Sequence, residues 1–368
     1  MMTTIQKNFL SLIRLGIGIP VPDLTIDVDW NALKAIAVGQ GLMAVMVDGV
    51  VAMPEEKRPP RPILLQWLGR TLQMESQYTV RKKVAKKMAL IFQQNQIRTY
   101  VLKGLVIAEC YPKPKHRISV DMDCYLTKDV QGLNGTQVQE GDWDVWERGN
   151  QLIEKLGFKV IRDHYKNSTF ILPGLNVENH QFMVPFRGNE TLKKLERLLQ
   201  GYMHNDQGDN MFEKTCLCRP PVMVSALFLI EHAYTHFLHE GLTWRYVLDW
   251  MLFSKKHEAE IDWGALNALI DEFGFRKFYD AYCHLGEFLL GKKAEEELTQ
   301  LEQKMMADAW APLDLHETPH GVKGKMDLAG NTLRAWWKYH YFTPLSMPHA
   351  LWIQVKGVLF DRHPVLEK

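Results

Sequence analysis

The chain predicts an α+β fold, with a sheet-containing core set between N-terminal helices and a helical C-terminal half. Three observations carry this. From Pro62 to Gln96 apolar residues recur at three- and four-residue spacing, the period of an amphipathic helix. Between Ile97 and Met183 that period gives way to β-branched and aromatic runs broken by glycine turns. From Glu190 onward the helical period returns. The expected divisions are therefore residues 1–96, 97–187 and 188–368.

Each element has a local reason. In the first region a periodic stretch spans residues 5–15, and a second helix opens around Asn31 after Asp29. The run Pro54-Glu-Glu-Lys-Arg-Pro-Pro-Arg-Pro62 cannot continue a helix and reads as a connector. In the middle, residues 97–102 form a strand, Lys103-Gly104 a turn, 105–110 a short helix and 118–126 a second strand. A helix over 143–156 stops at Gly157, a residue suited to a helix C-terminus, and strands follow over 158–162, 168–172 and 175–183. The C-terminal helices are expected near 190–202, 220–239, 243–257, 263–273, 275–290 and 294–309.

Composition narrows the function classes. Forty-four basic residues against forty-three acidic ones leave a formal net charge of +1, so no global field draws in nucleic acid or an anionic membrane, and no DNA-binding signature is present. An apolar fraction of 46% suits a globular chain. Five scattered cysteines suggest free thiols in a reducing compartment, so a cytoplasmic protein is expected. The stretch Phe9–Gly18 is broken by Arg14 and has no small-x-small cleavage site, which argues against secretion, and no uncharged apolar run is long enough to span a bilayer.

The chemistry centres on Asp121-Met122-Asp123. On a strand, residues two apart project from one face, so these carboxylates stand together and repel. A divalent cation held by oxygen ligands offsets that repulsion. Glu178 in Asn176-Val-Glu178-Asn-His180 supplies a third acid if its strand lies beside 118–126, with His180 on the same face. Lys103 and Arg117 are the nearby cations, suited to phosphate oxygens as a point charge and a bidentate fork respectively. Such a set suits phosphoryl transfer with Mg²⁺ bridging a polyphosphate.

The ordered string Leu102-Lys103-Gly104, Ala108, Tyr111-Pro112, Arg117, Asp121-Met-Asp123 and Val177-Glu178-Asn-His180 resembles the uncharacterised nucleotidyltransferase family of the DNA polymerase beta superfamily. Leu229-Ile-Glu-His232-Ala-Tyr-Thr-His236 and Leu242-Thr-Trp-Arg245-Tyr-Val-Leu-Asp249 extend the resemblance, which covers roughly residues 90–255. It implies a nucleotidyltransferase-like mixed sheet over 97–187 with helices on one side. It also implies transfer of a nucleoside monophosphate from a nucleoside triphosphate to a hydroxyl-bearing acceptor, which the sequence leaves open among a small molecule, a protein and a tRNA end. Asp121, Asp123 and Glu178 would be the catalytic acids and the ligands of Mg²⁺ or Mn²⁺. Lys103, Gly104, Arg117 and His180 would contact the nucleotide. Lys103-Gly104 stands where the superfamily usually has glycine-serine, which motivates an alternative: a catalytically silent nucleotide-sensing or interaction module on the same fold.

Other features point elsewhere. His232, His236 and His239 share a helix face, but no glutamate follows the first histidine, so packing beside the core and pairing with Asp249 or another acid is expected rather than zinc binding. Cys216-Leu-Cys218 lacks a second pair at zinc spacing. Arg81-Lys82-Lys83 with Lys86-Lys87 reads as a solvated helix face, with an RNA acceptor as the sharper reading. Trp336-Trp337, Tyr339, Tyr341-Phe342 and Trp352 are expected to pack helix against helix.

Overall fold

Side-chain capping explains several of the helix starts. In the computed structural model, which describes residues 2–21, 29–128, 145–162, 164–186, 188–206, 212, 215–311, 335–343, 348 and 352, Thr3 and Gln6 form a capping box on α1 (Thr4–Gly16). The Asp29 carboxylate accepts the first free amides of α2 (Trp30–Gly39). Helix α3 (Met43–Ala52) was not expected as a separate element, because it is apolar on nearly every side and shows no clean stripe. It crosses α1 so closely that a Cβ on Gly49 would sit 1.9 Å from the Leu12 carbonyl oxygen. Only glycine permits that approach.

Helix α4 (Arg61–Gln94) follows the proline connector. Then come β1 (Ile97–Val101), α5 (Leu105–Ala108), β2 (Asp121–Lys128), α6 (Val145–Lys155), β3 (Val160–Ile161), β4 (Asn167–Leu172), β5 (Leu175–His180), α7 (Glu190–Asn205) and the short β6 (Leu217–Cys218). The expected helix start at Trp143 lies outside the described residues. Strand β6 falls between the helices expected over 190–202 and 220–239, where no strand was expected, and two residues carry too little periodicity to announce one. The remaining helices are α8 (Val222–His239), α9 (Trp244–Lys256), α10 (Trp263–Glu272), α11 (Arg276–Leu289), α12 (Gln300–Trp310) and α13 (Trp336–Phe342). None of the described helices is long and apolar enough to cross a membrane, and all five cysteines are free thiols.

The sheet is mixed, with strand order β3-β4-β5-β2-β1-β6. β2 is central, antiparallel to β1 and parallel to β5. One sheet face carries Ile97, Val101, Met122, Cys124, Leu126, Phe170, Leu172, Leu175 and Val177 into a buried core with Tyr78, Ala85, Met88, Ala89 and Phe92 of α4 and Ile153 of α6. That face takes the even positions of β2, so the odd positions Asp121 and Asp123 must point the other way.

The chain divides into two compact units, with boundaries inside α4 and α8. One, Leu72–Phe228, contains the whole sheet. The other joins Met1–Thr71 to the helices after Leu229. In the helical unit buried Gln40 donates to the Ala309 carbonyl and accepts the Trp244 amide, tying α2, α12 and α9 together. Tyr339 and Phe342 of α13 are buried as expected, whereas Trp336 and Trp352 are more than half exposed and do not pack as the sequence suggested.

Candidate active site

The parallel register of β2 and β5 sets Asp121 opposite Asn176, Asp123 opposite Glu178 and Tyr125 opposite His180. In a parallel pair, residues in register project to the same face, so Asp121, Asp123, Glu178 and His180 share one surface. The strand adjacency that the sequence reading required is present.

Asp123 lies at the centre of this group and is almost fully buried. His180 Nε2 is 3.3 Å from Asp123 Oδ1 and 3.5 Å from Glu178 Oε2, and Lys103 Nζ is 3.4 Å from Asp123 Oδ2. Ligand atoms of Asp123, Glu178 and His180 lie within 4.8 Å of one another, the only such metal-capable group of three among the described residues. Asp121 lies on the same face but outside that group of three; burial followed by the Asp123 charge raises its pKa, with Lys103 acting against them. Glu178 is held below its ordinary value, mainly by its hydrogen bond to His180 and against burial. Burial opposes charging of His180, yet the two carboxylates at Nε2 outweigh it and its pKa is raised. Compact donors and like charges that repel are the features a divalent cation would satisfy, so the residues fit such a group.

The turn before α5 is built around Gly104, at φ 64° and ψ −105°, where no side chain is comfortable. A Cβ there would also come within 3.0 Å of Ser119 Oγ. The Leu102 amide donates to the Asp123 carbonyl at 3.0 Å, which carries β1 past β2 and delivers Lys103 to the acids. Arg117 is buried, and its Nη1 donates to the carbonyls of Gly104 and Ile118 at 3.4 and 3.3 Å, so its guanidinium braces this turn.

Two contributors were not foreseen. Arg81 does not lie on a solvated face: it is half-buried, donates from Nη1 to the Ser119 carbonyl and feels the Asp121 charge. Its position was legible, because 74, 78, 81 and 85 share the stripe that carries Met74, Tyr78 and Ala85 into the core. Lys82 likewise turns its ammonium over the Tyr78 and Phe212 rings. The second is Asn179, between Glu178 and His180 but on the opposite face, where it bonds Asn150 Oδ1 at 2.9 Å and its carbonyl accepts from Trp146 Nε1 at 2.8 Å. A cavity of about 320 Å³ adjoins the Asp121 end of β2, lined in part by Gln77, Arg81, Val120 and Asn176.

In the other unit His232 and His236 pack ring to ring at 4.4 Å. His236 pairs with Glu240 at 2.7 Å, an acid other than Asp249. None of His232, His236 and His239 belongs to the metal-capable group.

Fold and site together define an α+β protein whose mixed sheet presents a buried acid and histidine cluster able to hold a cation. The chain belongs to the uncharacterised nucleotidyltransferase family, whose model matches residues 27–291. Comparison with curated proteins and with solved structures gave no match.

Proposed function

We propose that the protein is a metal-dependent nucleotidyltransferase of the DNA polymerase beta type, moving a nucleoside monophosphate from a nucleoside triphosphate to a hydroxyl-bearing acceptor. The observation that carries this reading is the register placing Asp123 opposite Glu178, with Asp121 on the same face. Family membership supports the reaction class.

Asp121, Asp123 and Glu178 would hold Mg²⁺ or Mn²⁺, which when bound supplies charge neutralisation for the triphosphate and lowers the cost of ionising the attacking hydroxyl. The chain's own part is positioning and electrostatics. Lys103 stands beside Asp123 and offers its ammonium to the phosphates, while Gly104 adopts the positive-φ turn that follows it. Arg117 acts through that turn by holding the Gly104 carbonyl. The acceptor oxygen bonds to the α-phosphorus as the bond to the β-phosphate bridging oxygen breaks, and pyrophosphate departs. The hydroxyl proton passes to one of the carboxylates.

Thermal shift with each nucleoside triphosphate, with and without Mg²⁺ or Mn²⁺, tests binding. Metal-dependent stabilisation in the wild type that disappears in the Asp121→Asn, Asp123→Asn double variant is expected, and no response to any nucleotide would sink the reading. Incubation with α-labelled triphosphates and cell extract then tests turnover. Binding without label transfer to any acceptor would favour the silent sensing module.

A further inference from the structure

The geometry points to His180 as itself a cation ligand, and we propose that the resulting nitrogen and oxygen donor set selects a first-row transition cation such as Mn²⁺ over Mg²⁺. The inference rests on the reading of this cluster as a metal centre.

The tautomer of His180 is fixed by its surroundings. Its Nδ1 lies 3.2 Å from the Phe182 carbonyl, which can only accept, so Nδ1 carries the proton. In neutral imidazole the lone pair is then on Nε2, aimed at Asp123 and Glu178. A ring anchored through its distal nitrogen to a carbonyl is the usual arrangement of a metal-bound histidine. Aromatic packing limits rotation further, since Phe228 stands edge-on to the imidazole at 6.4 Å.

The separations point the same way. If His180 served only as a charged donor to the two carboxylates, N⁺–H···O⁻ contacts of about 2.7–2.9 Å would be expected. The contacts are instead 3.3 and 3.5 Å. Two ligands bonded at about 2.0–2.2 Å to one cation, at angles near 90–110°, stand about 3.0–3.5 Å apart. His180 therefore stands at the spacing of a fellow ligand from both carboxylates.

Donor chemistry selects the ion. Mg²⁺ demands oxygen ligands in near-ideal octahedral geometry, whereas imidazole favours first-row transition cations, of which Mn²⁺ also suits the accompanying carboxylates. One imidazole among carboxylates thus raises affinity for Mn²⁺ without a matching gain for Mg²⁺.

The metal-free full-length protein would be titrated with Mn²⁺ alone and with Mg²⁺ alone, and pulsed electron paramagnetic resonance would be recorded on the Mn²⁺ form. Binding of Mn²⁺ about tenfold or more tighter than Mg²⁺ is expected, together with a nitrogen coupling that changes pattern when histidine is ¹⁵N-labelled. His180→Gln should abolish the coupling and collapse the preference. Should that variant not fold, the labelled wild type decides alone. Bound Mn²⁺ without nitrogen coupling, or equal affinity for the two ions, overturns the inference and leaves the metal centre standing. Failure of the wild type to bind either ion overturns both.

Discussion

Asp123 and Glu178 face each other across the parallel strands β2 and β5, two carboxylates in register on one side of the sheet. Nothing in that pairing is self-stabilising, because like charges directly across a ladder repel. What holds them in register lies behind the strands. Val177 and Asn179, the neighbours of Glu178 on the opposite face, enter the apolar core and a buried polar network respectively. Register is thus set on the side of the sheet away from the chemistry, since a slip of one residue would turn Val177 out of the apolar core and Glu178 into it.

Asn179 is the sharpest test of that arrangement. Its side chain reaches Asn150 Oδ1, which also accepts from Ser168 Oγ at 2.7 Å, and the Trp146 carbonyl at 3.4 Å. Asn179→Leu removes two donors from a buried network and leaves acceptors unsatisfied, at a cost of about 2–4 kcal/mol. Denaturant unfolding should show that loss, and Mn²⁺ affinity should fall although no ligand has changed. Unaltered metal binding would mean that β5 keeps its place without this network.

Asp121 should oppose folding in the metal-free protein. Its pKa is raised by burial and by Asp123, so its contribution to stability is full below the ordinary carboxylate value and is lost as pH rises through the raised one. At pH 7 without metal, Asp121→Asn should melt higher than the wild type, by on the order of 2–5 °C, while label transfer falls at least about a hundredfold. A variant that melts lower would show that the charge is compensated in the fold.

Gly104→Ala separates the turn from the metal centre. The substitution forces a Cβ onto a backbone at φ 64° and toward Ser119 Oγ, at a cost of about 1–3 kcal/mol. Nucleoside triphosphate affinity should drop about tenfold or more, with Mn²⁺ binding nearly intact. Equal loss of both would mean that the turn supports the acids rather than the nucleotide.

How much of this was legible follows from where each signal resides. Strand alternation alone put Asp121 and Asp123 on one face, and the same rule joined Glu178 to His180, because period-two patterning is a local property. Adjacency of β2 and β5 was a conditional requirement that only the fold could meet. Arg81 was misread because charge was weighed before helical phase, although its phase matched Met74, Tyr78 and Ala85. Helix α3 hid for the opposite reason, being apolar almost all round. Asn179 gave no signal at all, since its partners Asn150 and Trp146 lie on a different element distant in sequence.

Glu196 links acidity to the orientation of His180. Its side chain is fully buried in α7, where Oε2 accepts the Met183 and Val184 amides, both at 2.9 Å, and Oε1 accepts from Gln200 at 2.7 Å. Those amides follow directly after Phe182, whose carbonyl anchors His180 Nδ1. Burial pushes the Glu196 carboxyl up to about 7 from an ordinary 4.5, with the amides, Gln200 and nearby His180 acting against it. The folded pKa lies above the unfolded one, so the stabilising contribution is complete below the ordinary value and disappears as pH climbs through about 7. A shift of that size corresponds to at most about 3 kcal/mol. Glu196→Gln keeps the shape, still accepts the two amides through its carbonyl oxygen, and cannot titrate. Unfolding free energy measured from pH 4 to pH 8 should therefore decline more steeply in the wild type than in Glu196→Gln, with the two curves diverging across the pH 5–7 interval. Parallel curves would show that Glu196 has the same proton affinity folded and unfolded, and that the segment after β5 is held by its backbone bonds alone.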